Sequence, residues 1–474
     1  MEYTHLSEFL IRRGELTIWT PELTRSDAWR DDERPLASVH EQYLGFLEPD
    51  DPRPGRGRWI GTIFEMDAPL DAQAWATTLR LWHDRHEGFR TTAVPTGDGG
   101  YHRVTTAPGT VQVTGAPVPG LVDGDQINEY LCEVLESRLS ALVWPHLLLA
   151  TVTHETDDFT VLVGADHSVL DAYSQAVLIL ELRTLYTAVR TGGEIRDSAT
   201  FGSPADYAVR ERAAAEELTP DSPAVAVWRE FLGTPGSPMP RFAADRVAEL
   251  DGEHAQPSVS RTLLTIEELE EVEQVLNRIR HRLSVTVFAA LAVASRAVFG
   301  EDRFRTVMPI ATRPDLTWLE SMGWFVNVVP VDITLPAGAD MAAALEVTRS
   351  SLKRAHTCND ASWGRSLAMV GAVEGPTFGA SFLDIRMLPD YELVADLRGR
   401  TLRAVSYSTE EVYFWVVRGP DGLYVSTRYP AGLPAEVMDR FLTEFARAMY
   451  AVTTIAAPVA AARPVDAPAA LSAG

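Results

Sequence analysis

Only two cysteines, Cys132 and Cys358, occur in the 474 residues, and neither has metal-like neighbours in the sequence. That excludes a disulfide framework and makes a reducing cytoplasm the expected compartment. Long apolar runs are missing too: no stretch reaches the ~18 residues that a membrane span needs, so none is expected. The opening residues, MEYTHLSEFLIRRGEL, place acids ahead of bases and hold no apolar segment, unlike a secretory signal. Positive charge is scarce, with 42 Lys and Arg against 66 Asp and Glu and a net charge of −24. Such a surface does not neutralise phosphates, which argues against broad nucleic-acid binding and equally against an anionic membrane surface.

Several catalytic signatures are also missing. There is no G-x-x-x-x-G-K-[ST], no complete G-x-G-x-x-G after a strand, no H-E-x-x-H and no G-x-S-x-G. Nucleotide-driven, dinucleotide, zincin and serine-elbow chemistries therefore lose weight. His167 and Asp171, spaced i, i+4, supply at most half of a metal site with no third ligand in view, so no metal is expected.

What is present is a globular composition, 46% hydrophobic, in a chain long enough for two cores. The first half, 1–190, mixes short strands with amphipathic helices. Leu70, Trp75, Leu79 and Trp82 recur at helical spacing over 69–87, and Ile127, Leu131, Val134 and Leu139 over 126–142. Two apolar runs, LLLATVTHE and DFTVLVGA, joined at Thr156-Asp157-Asp158, read as a hairpin. A strong helix follows over 171–190, stopped by Gly192 and Gly193. Residues 191–257, rich in Ala and Pro, read as a crossover with short helices at 204–217 and 223–233. A second half, 258–452, repeats the mixture, with strands expected at 258–265, 304–310, 324–335, 377–387, 401–408, 411–418 and 422–428. The tail, 453–474, is Ala- and Pro-rich and is expected to be disordered.

The second hairpin strand delivers Asp166-His167 to the start of the 171–190 helix, with Asp171 four residues beyond the histidine. A strand end is a plausible place for a general base. Taken alone, though, a histidine there is more often a hydrogen-bonded structural residue than a catalyst.

The surroundings carry a resemblance. Asp166-His167-Ser168-Val169-Leu170-Asp171-Ala172 resembles the HHxxxDG motif of the condensation-domain superfamily, which includes nonribosomal peptide condensation domains, polyketide-associated acyltransferases and chloramphenicol-acetyltransferase-like enzymes. RHEGFRTT (85–92) resembles its RHExLRTxF motif, and ADYAV (205–209) its DYAVW element. GWFVNVVPV (323–331) resembles its GxFVNTxPxR strand. Arg313 stands where the family has an arginine, and SVHEQYL, from Ser38, is a weaker echo of its first motif.

The resemblance implies an α/β fold of the α+β sandwich type: two chloramphenicol-acetyltransferase-like halves in a V, with a tunnel and the active site at their interface. It implies acyl transfer from a thioester, on a carrier protein's phosphopantetheine or on CoA, to a small amine or alcohol acceptor, with no bound cofactor and a monomeric chain. His167 takes the base role, and Asp171 and Arg313 brace the loop as an ion pair. Asp166, Ser168, Ala172, Trp324 and Asn327 are candidates for the pocket. In the family the RHExLRTxF motif is structural, so His86 is not expected to be catalytic.

Two departures stand out. Asp166 replaces the first motif histidine, and Ala172 the terminal glycine. Asp166 would raise the His167 pKa if the two side chains meet, or point away along the strand. Both departures keep alive an alternative, a non-catalytic module that recruits a partner enzyme to a carrier protein, which retention of His167 speaks against. A hydrolase acting on a carrier-bound acyl chain is a third, smaller reading.

Overall fold

A computed structural model describes residues 3–455 apart from 48–52, 198–199, 235, 373, 388–390 and 392–396. Most of the tail expected to be disordered, from residue 456, lies outside the described residues; Ala451–Thr454 form a last 3-10 turn.

The hairpin is the centre of the first half. Leu147–Thr153 pairs antiparallel with Phe159–Asp166, and Trp59–Met66 lies along the other side, Trp59 opposite Asp166. Every residue of Phe159–Asp166 is buried, because both faces of the sheet are covered. Val161, Val163 and Ala165 pack with Trp75, Leu79 and Leu182, which come from the helices Ala72–Arg85 and Ala172–Thr191. Leu162 turns to the opposite face, against Ile127 and Leu131 of the helix Gly124–Arg138. This is the strand period of two meeting two helical stripes. Gly164 permits the second contact: a Cβ there would lie 2.2 Å from Leu135 Cδ2.

Glu15–Leu23 and Val111–Pro117 extend this sheet beyond Leu147–Thr153. A small separate sheet joins Arg30–Asp32, Tyr101–Thr105 and Thr91–Pro95. The second half is built on a six-stranded sheet in the order Ser258–Thr265, Gly422–Arg428, Val412–Gly419, Phe378–Asp384, Arg303–Ala311, Val326–Thr334. The helices Leu283–Phe299, Met341–Ala355 and Ala435–Tyr450 share its core, where Phe288, Leu345, Phe414 and Phe441 are buried. Between the halves run the helices Pro204–Glu216 and Pro223–Leu232, each opened by a proline whose missing N–H costs nothing there.

One strand departs from chain order. The expected strand at 401–408 is only Arg400–Arg403, and it pairs with Trp59–Met66 at the edge of the first sheet. Tyr3–Thr4 then pairs parallel with it. The polar segment carries no periodicity that tells one sheet from another. Sequence reasoning also passed over the helix Trp363–Val370 and the strand Arg30–Asp32, both short. The helix expected to reach Glu87 stops at Arg85, where His86 turns extended.

No single helix among the described residues is long and apolar enough to cross a membrane.

Candidate active site

His167 sits in a five-residue turn between the strand Phe159–Asp166 and the helix Ala172–Thr191. The turn is held from both ends. Val169 and Leu170 are buried in the first-half core, and the Val169 N–H donates to the Asp166 carbonyl at 3.2 Å. The His167 N–H donates to the Arg58 carbonyl at 3.3 Å. The imidazole lies against Trp324, ring centroids 4.7 Å apart, and Trp324 also meets Tyr43 edge-on at 5.4 Å. Residues from both halves therefore meet at the histidine.

Asp166 points away from the imidazole. Its carboxylate accepts from the Tyr43 hydroxyl at 3.1 Å and from the Ser168 N–H at 2.8 Å, and it is buried. Its charge still raises the His167 pKa through space, but not enough to decide the direction. Burial, with the Arg403 charge next, holds the imidazole below its ordinary value, and the opposing fields of Asp166 and Asp171 do not offset them. His167 Nδ1 is buried without a hydrogen-bond partner. Arg403 stands in the strand that crosses into the first sheet, its guanidinium 3.9 Å from the centre of the Trp415 ring.

Asp171 is the N-cap of the following helix and accepts from the Ser174 N–H at 2.7 Å. Its carboxylate also takes two hydrogen bonds from Arg313, at 2.9 and 3.0 Å, and one from the Phe325 N–H at 3.0 Å. Both side chains of the pair are about 98% buried, at 1% and 2% exposure. Burial pushes the Asp171 carboxyl up, but the Arg313 charge and the hydrogen bonds hold it below the usual carboxylate range. Arg313 is itself stacked on Tyr173 at 4.3 Å and on Phe325 at 4.7 Å. Its Nη2 reaches the Ser174 hydroxyl at 2.8 Å, and that hydroxyl donates to the Gly323 carbonyl at 3.2 Å. All these acceptor positions are taken, so Asp171 does not orient the imidazole.

The other candidates divide. Ser168 is buried with its hydroxyl unpartnered. Ala172 packs with Ala176, Ile385 and Trp415, so its methyl meets apolar neighbours. Asn327 is committed elsewhere: its Nδ2 donates to the carbonyls of Cys358, Asn359 and Ala361 at 2.8–3.0 Å, and its Oδ1 accepts from the Trp363 N–H at 3.3 Å. It ties its strand to the 358–363 turn and borders a pocket of about 220 Å³.

RHEGFRTT is wiring. His86 is buried, its Nε2 on Glu181 at 2.8 Å and its Nδ1 accepting from the Met322 N–H at 3.3 Å. Glu181 also takes Arg85 at 2.8 Å and Trp82 Nε1 at 2.9 Å. Sequence reasoning missed Glu181, Tyr43 and Arg403: no motif surrounds Glu181 or Arg403, and Tyr43 stands in SVHEQYL without having been singled out, so only the fold brings them here. Among the described residues no three His, Cys, Asp or Glu side chains gather in a way that could hold a metal ion.

The fold is shared with a solved acyl transferase, PapA2, which superposes with a TM-score of 0.84 over 96% of this chain and 100% of that one at 20% identity. A family model for the condensation domain matches residues 59–364, and the chain belongs to that family. By sequence it is similar to the acyltransferase PapA3 of Mycobacterium tuberculosis, 23% identical across 89% of this chain and 93% of that protein. It is also similar to the trehalose-2-sulfate acyltransferase PapA2 of Mycobacterium bovis, 28% identical over 43% of each chain. The mixed helix-and-sheet fold and the family resemblance read from the motifs are borne out, and the protein is a condensation-type acyltransferase.

Proposed function

We propose that the chain moves an acyl group from a thioester, carried on a carrier protein's phosphopantetheine or on CoA, to the hydroxyl of a small acceptor, with His167 as general base. The observation that carries this is the imidazole: it is held neutral near pH 7 and packed between the two halves on Trp324. As the acceptor oxygen attacks the thioester carbonyl, the imidazole takes its proton. The C–O bond forms, the C–S bond breaks, and the proton passes to the departing thiolate. Such base catalysis contributes about 10²–10⁴ in rate, and holding two reactants in line adds more. Asp171 and Arg313 support the turn, and Asp166 is hydrogen-bonded to Tyr43 and Ser168 while its charge raises the imidazole pKa slightly. A hydroxyl acceptor, over the amine that the family reaction also allows, is supported by the trehalose derivative in the name of the PapA2 relative.

The test is intact-mass analysis with acyl-loaded carrier proteins, acyl-CoA and candidate acceptors. Wild type transfers; His167→Ala stays folded and transfers about 10²–10⁴ more slowly. Transfer by His167→Ala at the wild-type rate removes the base assignment. Immobility of every acyl group, with wild type and variant alike, favours the recruitment module to which Asp166 and Ala172 point.

A further inference from the structure

A base must meet its proton at the right angle. The imidazole lone pair lies in the ring plane, so a rotated ring aims past the acceptor hydroxyl. The ring torsion of a histidine is broad and roughly two-fold, so the side chain alone does not fix that plane. A hydrogen bond at the other ring nitrogen ordinarily does, yet Nδ1 of His167 is buried without a partner. The two nearby carboxylates are committed elsewhere, Asp166 to Tyr43 and Ser168, Asp171 to Arg313, Ser174 and Phe325. The indole of Trp324 does face the ring, its centre 4.7 Å away and its plane inclined by 37°. Trp324 is held in turn. The Met322 N–H donates to His86 Nδ1 at 3.3 Å, the Gly323 N–H to the Ser174 hydroxyl at 3.3 Å, and the Phe325 N–H to the Asp171 carboxylate at 3.0 Å. All three acceptors belong to the first half, and all three donors to the second. The backbone on both sides of Trp324 is therefore pinned across the interface. A Cβ at Gly323 would lie 2.6 Å from the Phe325 ring and 3.0 Å from Pro204, so the approach needs glycine there.

We infer that Trp324 is the positioning residue that sets the plane of the His167 imidazole, and that His86, Ser174 and Asp171 bear on the reaction through it. This rests on the reading of His167 as the base and adds what aligns it. A tilted aromatic contact holds a ring by its face and engages neither of its nitrogens. The neutral imidazole thus keeps its lone pair for the incoming proton. Tyr43, itself tied to Asp166, meets the indole edge-on at 5.4 Å and limits its swing. Asp171 thereby orients the histidine at one remove, through the Phe325 N–H and the indole beside it, although it does not touch the ring. Because the indole comes from one half and the histidine from the other, the base is aligned only while the halves are docked. Misplacing a reacting group by about 1 Å costs on the order of 10² in rate.

NMR of histidine-labelled protein reads the contact without any substrate, the His167 signals being assigned by their loss in His167→Ala. In wild type at least one of its ring protons should be displaced upfield by the indole ring current, and Trp324→Leu should abolish that displacement. Transfer from octanoyl-CoA and octanoyl-phosphopantetheine to trehalose, glycerol and octan-1-ol is measured alongside. Trp324→Leu should lower kcat about 10- to 100-fold and move KM less than about threefold. Trp324→Phe keeps an aromatic face and should restore most of the loss. In the His167→Ala background, Trp324→Leu should change the residual rate less than about twofold, since a residue acting through the histidine has nothing left to align. Wild-type ring protons without the displacement overturn the inference, and this reading stands even where Trp324→Leu fails to fold. A raised KM with kcat unchanged overturns it too, and makes Trp324 a wall of the substrate site. So does an equal loss with and without His167. Transfer by His167→Ala at the wild-type rate removes the base reading instead, and the ring-current result then decides by itself whether Trp324 holds the ring.

Discussion

Asp171→Ala tests the brace beneath the site most directly. The substitution removes the acceptor of four hydrogen bonds and leaves the Arg313 guanidinium, 2% exposed, without a counter-charge. Breaking one side of a buried pair costs about 3–5 kcal/mol. Loss of the N-cap, alone worth about 0.5–2 kcal/mol, is part of the same change and is not added to it. Asp171→Asn should cost less, because asparagine caps a helix about as well as aspartate and keeps an oxygen for Ser174. Arg313→Leu should cost about as much as Asp171→Ala, since it strands the carboxylate. The double variant should lose less than the sum of the single ones. Urea unfolding followed by tryptophan fluorescence is the assay, comparing the midpoint of the first transition because a chain with two cores need not unfold in one step. The pH dependence has a definite sign. The Asp171 carboxyl is depressed in the folded state, so its contribution is complete above the unfolded value near pH 4 and is lost as pH falls through the lower folded value. Asp171→Ala within about 1 kcal/mol of wild type, with an unchanged acid limb, would refute the brace.

Further expectations follow from the same geometry. The acid limb of kcat/KM should lie below pH 6.5, since the imidazole is held down and is competent only when neutral; Arg403→Gln should move that limb upward by removing a positive charge. Asp166→Asn keeps an acceptor for Tyr43 and Ser168 and should leave the transfer rate within about threefold, with the limb displaced slightly downward because the Asp166 charge raises the imidazole. A tenfold loss would mean that its charge takes part in the chemistry. Glu181→Ala strands Trp82, Arg85 and His86 together and should destabilise the fold by about 3–5 kcal/mol in the same urea assay, against well under 1 kcal/mol for a solvated glutamate.

Much of this protein is local in its sequence. The hairpin that presents His167 follows from two apolar runs around a turn, and the helix behind it from Asp171 at one end and Gly192, at φ 70°, at the other. These features depend on period and caps, which neighbouring residues set without the rest of the chain. The motifs also carried the pairing of Asp171 with Arg313, because the resemblance placed both residues before any distance was known. The tertiary structure decided what depends on distant partners. Arg400–Arg403 belongs to the first sheet because Trp59–Met66 has an open edge beside it, which a four-residue polar segment cannot advertise. Asp166 faces Tyr43 instead of His167, and the charge that next to burial lowers the imidazole comes from Arg403, far along the chain. Asn327 borders a pocket as the motif suggested, but its amide is spent on three backbone carbonyls that only the fold brings to it. Electrostatics and polar satisfaction are sums over everything within a few ångströms, whatever its place in the sequence. Thus a histidine at a strand end was legible from the residues, and the neutral state of its ring only from the fold.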